Sequence, residues 1–154
     1  MQRHPLAVPL IKHAKVEPSL YWNDPDTGIL CKCRPDLLRH TLVADLKTTK
    51  DASPRAFQKD VLSYGYHLQA VMIQAALQVL NGVEMNHFWF IVIEKEPPYL
   101  VAVYQLDDAA LAEGRARFKQ LLHDYQHCLS TQDWLAYPVQ TISLPAYAFH
   151  LSGE

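Results

Sequence analysis

Residues His87 to Glu94, His-Phe-Trp-Phe-Ile-Val-Ile-Glu, form a nearly continuous apolar run of β-branched and aromatic side chains. Such a run makes a strand buried on both faces, which belongs in the middle of a sheet with helices packed on either side. The rest of the pattern supplies that setting. Val16 to Trp22 reads as a strand, Asn23-Asp24-Pro25-Asp26-Thr27-Gly28 as a turn, and Ile29 to Arg34 as the returning strand of a hairpin. Thr41 to Thr48 is a third strand. Ser53 and Pro54 then open a helix as N-cap and first helical residue; its period runs to residue 80, is divided near Gly65 and closes at Asn81-Gly82. After the central strand Pro97-Pro98 turns the chain, Tyr99 to Leu106 reads as a hairpin partner, and Asp107 to Leu129 as a long amphipathic helix. Residues 6–15 are at most a short helix because of Pro9, and the aromatic, proline-bearing tail from Ser130 reads as an irregular packed segment. The fold class is α/β, a mixed central sheet flanked by helices in the order βββ-α-ββ-α.

At 154 residues with 49% apolar content, the chain can bury one core, and residues 1–154 read as a single domain. No segment approaches the ~18 consecutive apolar residues of a membrane span, and the start, Met-Gln-Arg-His-Pro, lacks the apolar run of a signal peptide. A cytoplasmic location and no membrane partner are the expectations. Three cysteines argue against a disulfide framework. Cys31 and Cys33 share one face of a strand, but Cys128 alone cannot complete a four-cysteine metal site, so they read as small buried hydrophobes. Five glycines include no phosphate loop or dinucleotide fingerprint. His123 and His127 stand four apart on a helix without the glutamate that a metalloprotease motif requires; with His87 and His150 they are assigned to the surface.

The stretch from Arg34 to Lys47 carries the chemistry. It brings Asp36, Asp45 and Lys47 into what read as two adjacent strands. Side chains two apart share a face, so Asp45 and Lys47 project together, while Leu46 points into the core and leaves its carbonyl at the strand edge. Two carboxylates and a carbonyl suit Mg²⁺, a hard cation that takes oxygen ligands and keeps several waters, and a nearby ammonium can orient or deprotonate an attacking water. Phosphodiester cleavage needs these groups.

The formal net charge is −2, yet Lys32, Arg34, Arg39, Lys47, Lys50, Arg55 and Lys59 lie in one segment with only Asp36, Asp45 and Asp51. A basic segment around a carboxylate pair is what a phosphate-handling site requires, although interspersed charge is also ordinary solvated surface.

The strand order resembles the core of the PD-(D/E)xK nuclease superfamily. More closely, Arg34-Pro35-Asp36, Asp45-Leu46-Lys47-Thr48-Thr49 and Tyr66-His67-Leu68-Gln69, in that order, resemble the catalytic domain of RecE-type phage exonucleases over about residues 16–106. The resemblance implies Asp36 and Asp45 as metal-binding carboxylates, the Leu46 carbonyl as a further ligand, Lys47 as the water-directing amine, and Gln69 as a helix residue placing DNA or catalytic groups. Ile73 stands where the family's Gln-xxx-Tyr motif has tyrosine. Glu17 resembles the acid that touches a second metal in related nucleases; it reads equally as a solvated strand-edge glutamate. Arg34, Thr48, Thr49, Lys50, Ser53 and Tyr66 are the implied DNA contacts. The implied activity is Mg²⁺-dependent digestion of linear double-stranded DNA in the 5′ to 3′ direction, with Mn²⁺ as a substitute metal. The implied partners are a single-strand annealing protein and further copies of the chain in a homo-oligomer. Many relatives place a histidine on a helix upstream of the first strand, and here only residues 1–15 precede that strand. The first core helix therefore reads as missing or shortened, and the chain as the carboxy-terminal part of a longer, phage- or prophage-encoded exonuclease.

Two classes of function follow: a metal-dependent nuclease using Asp36, Asp45 and Lys47, or a catalytically impaired nuclease-fold module that binds DNA or assembles with partners.

Overall fold

The computed structural model describes residues 4–82, 84–85, 87–134 and 136–149; His150 lies outside them. The α/β reading holds. Leu42–Thr49 (β5) and His87–Glu94 (β6) pair in parallel at the centre of a five-stranded sheet. Val101–Tyr104 (β7) joins β6, Leu37–Arg39 (β4) joins β5, and Lys15–Val16 (β1) joins β4, all antiparallel. Parallel neighbours need a crossover, and Pro54–Ser63 (α2) and Tyr66–Asn81 (α3) provide it. Ser53 accepts from the Ala56 amide as N-cap of α2 with Pro54 behind it, and Gly65 parts the two helices at φ +67°.

Side-chain alternation sorts the two faces of the sheet. Val43, Phe88, Phe90 and Val92 meet Phe57 of α2 and Ala70, Ile73 and Leu77 of α3. Ala44 and Ile91 meet Ala7 and Leu10 of a five-residue helix, Ala7–Ile11 (α1). The first core helix is present and short.

Three expectations change. The strand expected over Val16–Trp22 is two: Glu17 takes φ +47° before Pro18, so β1 ends and Leu20–Asn23 (β2) pairs instead with Leu30–Cys33 (β3) as a separate ribbon against α3. β4 is an additional strand, returning to β5 through the two-residue turn His40–Thr41 with His40 at φ +50°. That turn uses none of the Asn-Gly chemistry that marks hairpins in a sequence. The third change is the tail: Trp134 meets Tyr125 edge-on at 5.8 Å, but most of the described residues after it are exposed. Tyr137 is 96% exposed, and residues 136–145 have no regular secondary structure. Burial within the β3 ribbon pushes the Cys33 thiol up to about 11, with the Cys31 thiol adding to the shift, as befits structural cysteines.

The β5–α2 connection is pinned from β6 and β7. Glu94 Oε1 accepts from the Ala52 amide at 2.9 Å, and the Tyr104 hydroxyl donates to the Ala52 carbonyl at 2.6 Å. Phe57 stacks on Tyr104 at 5.2 Å and meets Phe90 edge-on at 5.5 Å.

Asp108–Thr131 (α4) packs on α3 at a point where only glycine fits. A Cβ at Gly114 would sit 2.7 Å from the His67 carbonyl oxygen. Gly114→Ala gains about 1 kcal/mol of helix propensity but forces the helices apart, and overpacking costs about 1–3 kcal/mol. We expect a lower unfolding midpoint in denaturant titration; an unchanged or raised midpoint would show that α4 can shift freely.

Candidate active site

Asp45 and Lys47 project from β5 toward α3, and Gln69, in the first turn of that helix, meets both. Asp45 Oδ1 accepts from Gln69 Nε2 at 2.6 Å, Gln69 Oε1 accepts from Lys47 Nζ at 2.9 Å, and Lys47 Nζ lies 2.5 Å from Asp45 Oδ2. The amide thus bridges the ends of an ion pair. Asp45 is only 1% exposed. Its pKa is raised chiefly by burial, with the Asp36 charge adding, while Lys47 and Gln69 pull the other way. The Lys47 ammonium also lies 4.3 Å from the centroid of the Tyr66 ring, a cation–π contact.

Asp36 reaches the same place from the neighbouring strand. The register Leu37↔Ala44, carried one step further, sets Asp36 opposite Asp45. Since β4 begins at Leu37, the Leu46 amide has no ladder partner on that side, and Asp36 Oδ2 accepts its hydrogen at 2.7 Å. A residue's N–H and C=O leave a strand on the same side, so the Leu46 carbonyl faces the Asp36 side. The Leu46 side chain corrects an expectation: it is 39% exposed rather than in the core. It lies on the α1 face, and five residues of helix do not extend far enough to cover it.

The remaining expected residues are distributed differently. Glu17 donates its amide to the Asp36 carbonyl at 2.8 Å, but its carboxylate pairs with Arg34 at 2.6 Å, and Arg34 Nε donates to the Glu17 carbonyl. The structure does not bring these two side chains into contact with the Asp45 group. Thr49 donates to Asp60 at 3.1 Å, Ser53 serves as helix cap, and Thr48 and Lys50 are exposed. Ile73, 1% exposed, is a core residue. His67 Nδ1 meets the Val61 carbonyl at 3.2 Å across the α2–α3 junction. Sequence reasoning missed the seat that Tyr66 gives Lys47; the signal was its place three residues before Gln69, on the same helix face.

Among the described residues no group of three or more His, Cys, Asp and Glu could hold a metal. Asp36, Asp45 and the Leu46 carbonyl form an all-oxygen set, which suits Mg²⁺ with retained waters better than zinc. Asp45 Oδ2 is buried with no hydrogen-bond donor aligned on it, although the Lys47 charge is adjacent. The donor set fits a hard divalent cation.

A family model described as a PDDEXK-like domain of unknown function (DUF3799) matches residues 4–140. The chain belongs to that family. Among solved structures, a candidate exonuclease from Eubacterium rectale shares 15% identity at a TM-score of 0.64, covering 90% of this chain and 59% of its own. The chain thus spans about three fifths of that protein's length. A phage-related exonuclease from Haemophilus somnus 129PT shares 12% identity at a TM-score of 0.48, with 83% and 70% covered. No curated protein matches the sequence. The match to the Eubacterium rectale structure confirms the fold. No helix among the described residues is long and apolar enough to cross a membrane.

An acid whose pKa folding raises binds its proton more tightly when folded, so its ionisation costs stability as pH rises through the raised value. Asp45→Asn removes that cost. Without metal, the variant is expected to melt above the parent at pH 7, by roughly 2–4 °C per kcal/mol recovered, with the gap closing as pH falls toward the ordinary aspartate range. A variant less stable than the parent at pH 7 would show that the Lys47 pairing outweighs the burial.

Proposed function

We propose that the chain is a Mg²⁺-dependent exodeoxyribonuclease of the RecE type, resecting linear double-stranded DNA 5′ to 3′ to leave 3′ single-stranded tails. The observation that carries the reading is the Asp45–Lys47–Gln69 triangle set beside Asp36 and the Leu46 carbonyl. Asp36, Asp45 and the Leu46 carbonyl would hold the cation. When bound, a divalent cation polarises the phosphoryl oxygen and lowers the pKa of a coordinated water. Lys47 orients the attacking water and offers positive charge to the developing phosphorane; Gln69 and the Tyr66 ring fix the ammonium's position. The choice of DNA ends as substrate rests on the RecE-like motif order and on the exonuclease description of the Eubacterium rectale protein. Annealing and self-assembly partners belong to the same reading.

A second reading is a DNA-binding or assembly module without turnover. The observation favouring it is the thin cover of the α1 face, where Leu46 of β5 is exposed, as are Leu6 and Val8 of the α1 segment.

The deciding experiment is cleavage of end-labelled linear duplex with Mg²⁺ or Mn²⁺, with EDTA, and with Asp45→Ala and Lys47→Ala. We expect metal-dependent loss of the 5′ label, abolished in Asp45→Ala and reduced about 10²-fold or more in Lys47→Ala. Salt-sensitive DNA binding with no cleavage under any metal would establish the second reading instead.

A further inference from the structure

We infer that the carboxy-terminal arm docks as an added β-strand on the open β7 edge of a second copy of this chain. From Trp134 to Phe149 the sequence carries no charged residue. Tyr137, Val139, Ile142, Leu144, Tyr147 and Phe149 are 60% to 105% exposed, a concentration of apolar surface that water does not tolerate well. Val139-Gln140-Thr141-Ile142-Ser143-Leu144 has the β-branched content and two-residue alternation of a strand, with Ile142 and Leu144 on one side, yet it pairs with nothing among the described residues.

The edge that fits it belongs to the same chain. β7 is the last strand of the sheet, and Val-Ala-Val-Tyr carries none of the charges, prolines or bulges that normally protect an edge. The Glu94 amide donates to the Leu100 carbonyl, so residues 100, 102 and 104 point their backbone groups toward β6, and Val101 and Val103 point theirs outward. Tyr99 and Leu100, just before the strand, are more than half exposed. The opposite edge, β1, is only two residues long and one of them is Lys15, a poor match for an uncharged arm.

Geometry favours pairing between copies over pairing within one. α4 starts four residues after β7, and its 24 residues carry the arm about 36 Å away at ~1.5 Å per residue. Returning to Asp108 at ~3.4 Å per residue uses up the arm from Gln132 to about Ile142, leaving almost no strand to pair. The inference gives the self-assembly in the nuclease reading a specific interface but stands apart from its chemistry, since neither the arm nor β7 contributes a residue to the Asp45 site: loss of assembly with cleavage intact, or the reverse, tells the two apart.

The test is sedimentation equilibrium on the full chain at tens of micromolar, together with hydrogen exchange at the Val101 and Val103 amides. The expected results are a mass that is a multiple of 17.6 kDa and protection of both amides. Ile142→Asp/Leu144→Asp, which changes only exposed residues, should return the chain to monomer and expose both amides. Val103→Pro, which removes an outward N–H and spares the β6 ladder, should also give monomer. Three results would each overturn the proposal: a monomeric parent across the concentration range, an assembly that survives the arm variant, or an assembly that the arm variant dissolves while Val101 and Val103 exchange freely in the parent. If Val103→Pro does not fold, the arm variant and the exchange data decide alone.

Discussion

A carboxylate buried on the helix-covered face of a sheet is the constraint from which most of this structure follows. Asp45 sits at 1% exposure in a layer otherwise filled by Val43, Phe90 and Ile73. An unpaired charge there would cost several kcal/mol, so the fold must bring it donors. Lys47 comes from the same strand by alternation. Gln69 has to come from a helix placed so that its first turn lies over β5, and that position is set by the Gly65 break, the Phe57–Phe90–Tyr104 cluster and the tie of Ala52 to Glu94 and Tyr104. The aromatic packing and the β5–α2 connection thus serve the site as well as the core.

The pairing only partly compensates the burial, since the carboxyl is still shifted upward. That residual cost is the condition under which a bound cation has most to offer, because it would replace a partly satisfied ion pair with direct charge neutralisation. It also explains why Tyr66 matters. An ammonium shared between Asp45 and Gln69 has to keep its place if the carboxylate turns toward a metal, and the ring face gives it a neighbour whose attraction does not depend on the carboxylate.

What was legible in the sequence was local and periodic. The two-residue alternation put Asp45 and Lys47 on one face, the Ser53-Pro54 pair located the start of α2, Gly65 marked the break between helices, and the apolar run from His87 identified the central strand. The illegible parts depend on contacts between segments distant in the chain, or on backbone conformations that residue type does not announce. Glu17 and His40 adopt left-handed φ values without being glycine; glutamate has no preference for that region and histidine only a weak one, so neither the end of β1 nor the β4–β5 turn carried a strong signal. The Leu46 side chain was expected in the core because it alternates with Asp45 and Lys47, but β5 is covered only part-way along on its α1 face. Glu17 and Arg34 were read as separate site residues, whereas at 2.6 Å they satisfy each other.

The two faces of the sheet are therefore unequal, and the inequality has a direction. On the α3 face, two helices and an aromatic cluster cover β5 and β6 and enclose Asp45, Lys47 and Gln69. On the α1 face, five residues of helix cover Ala44 and Ile91 and leave Leu46 open. Asp36 and the Leu46 carbonyl lie where β4 gives out along β5, at the strand edge, while Asp45, the Lys47 amine and the Gln69 amide sit deeper, under α3. On the proposed reading, a phosphodiester would approach from the Asp36 side, where β4 ends beside Leu46. Approach from there would leave undisturbed the α2–α3 packing that holds the Lys47 ammonium against Gln69 and the Tyr66 ring.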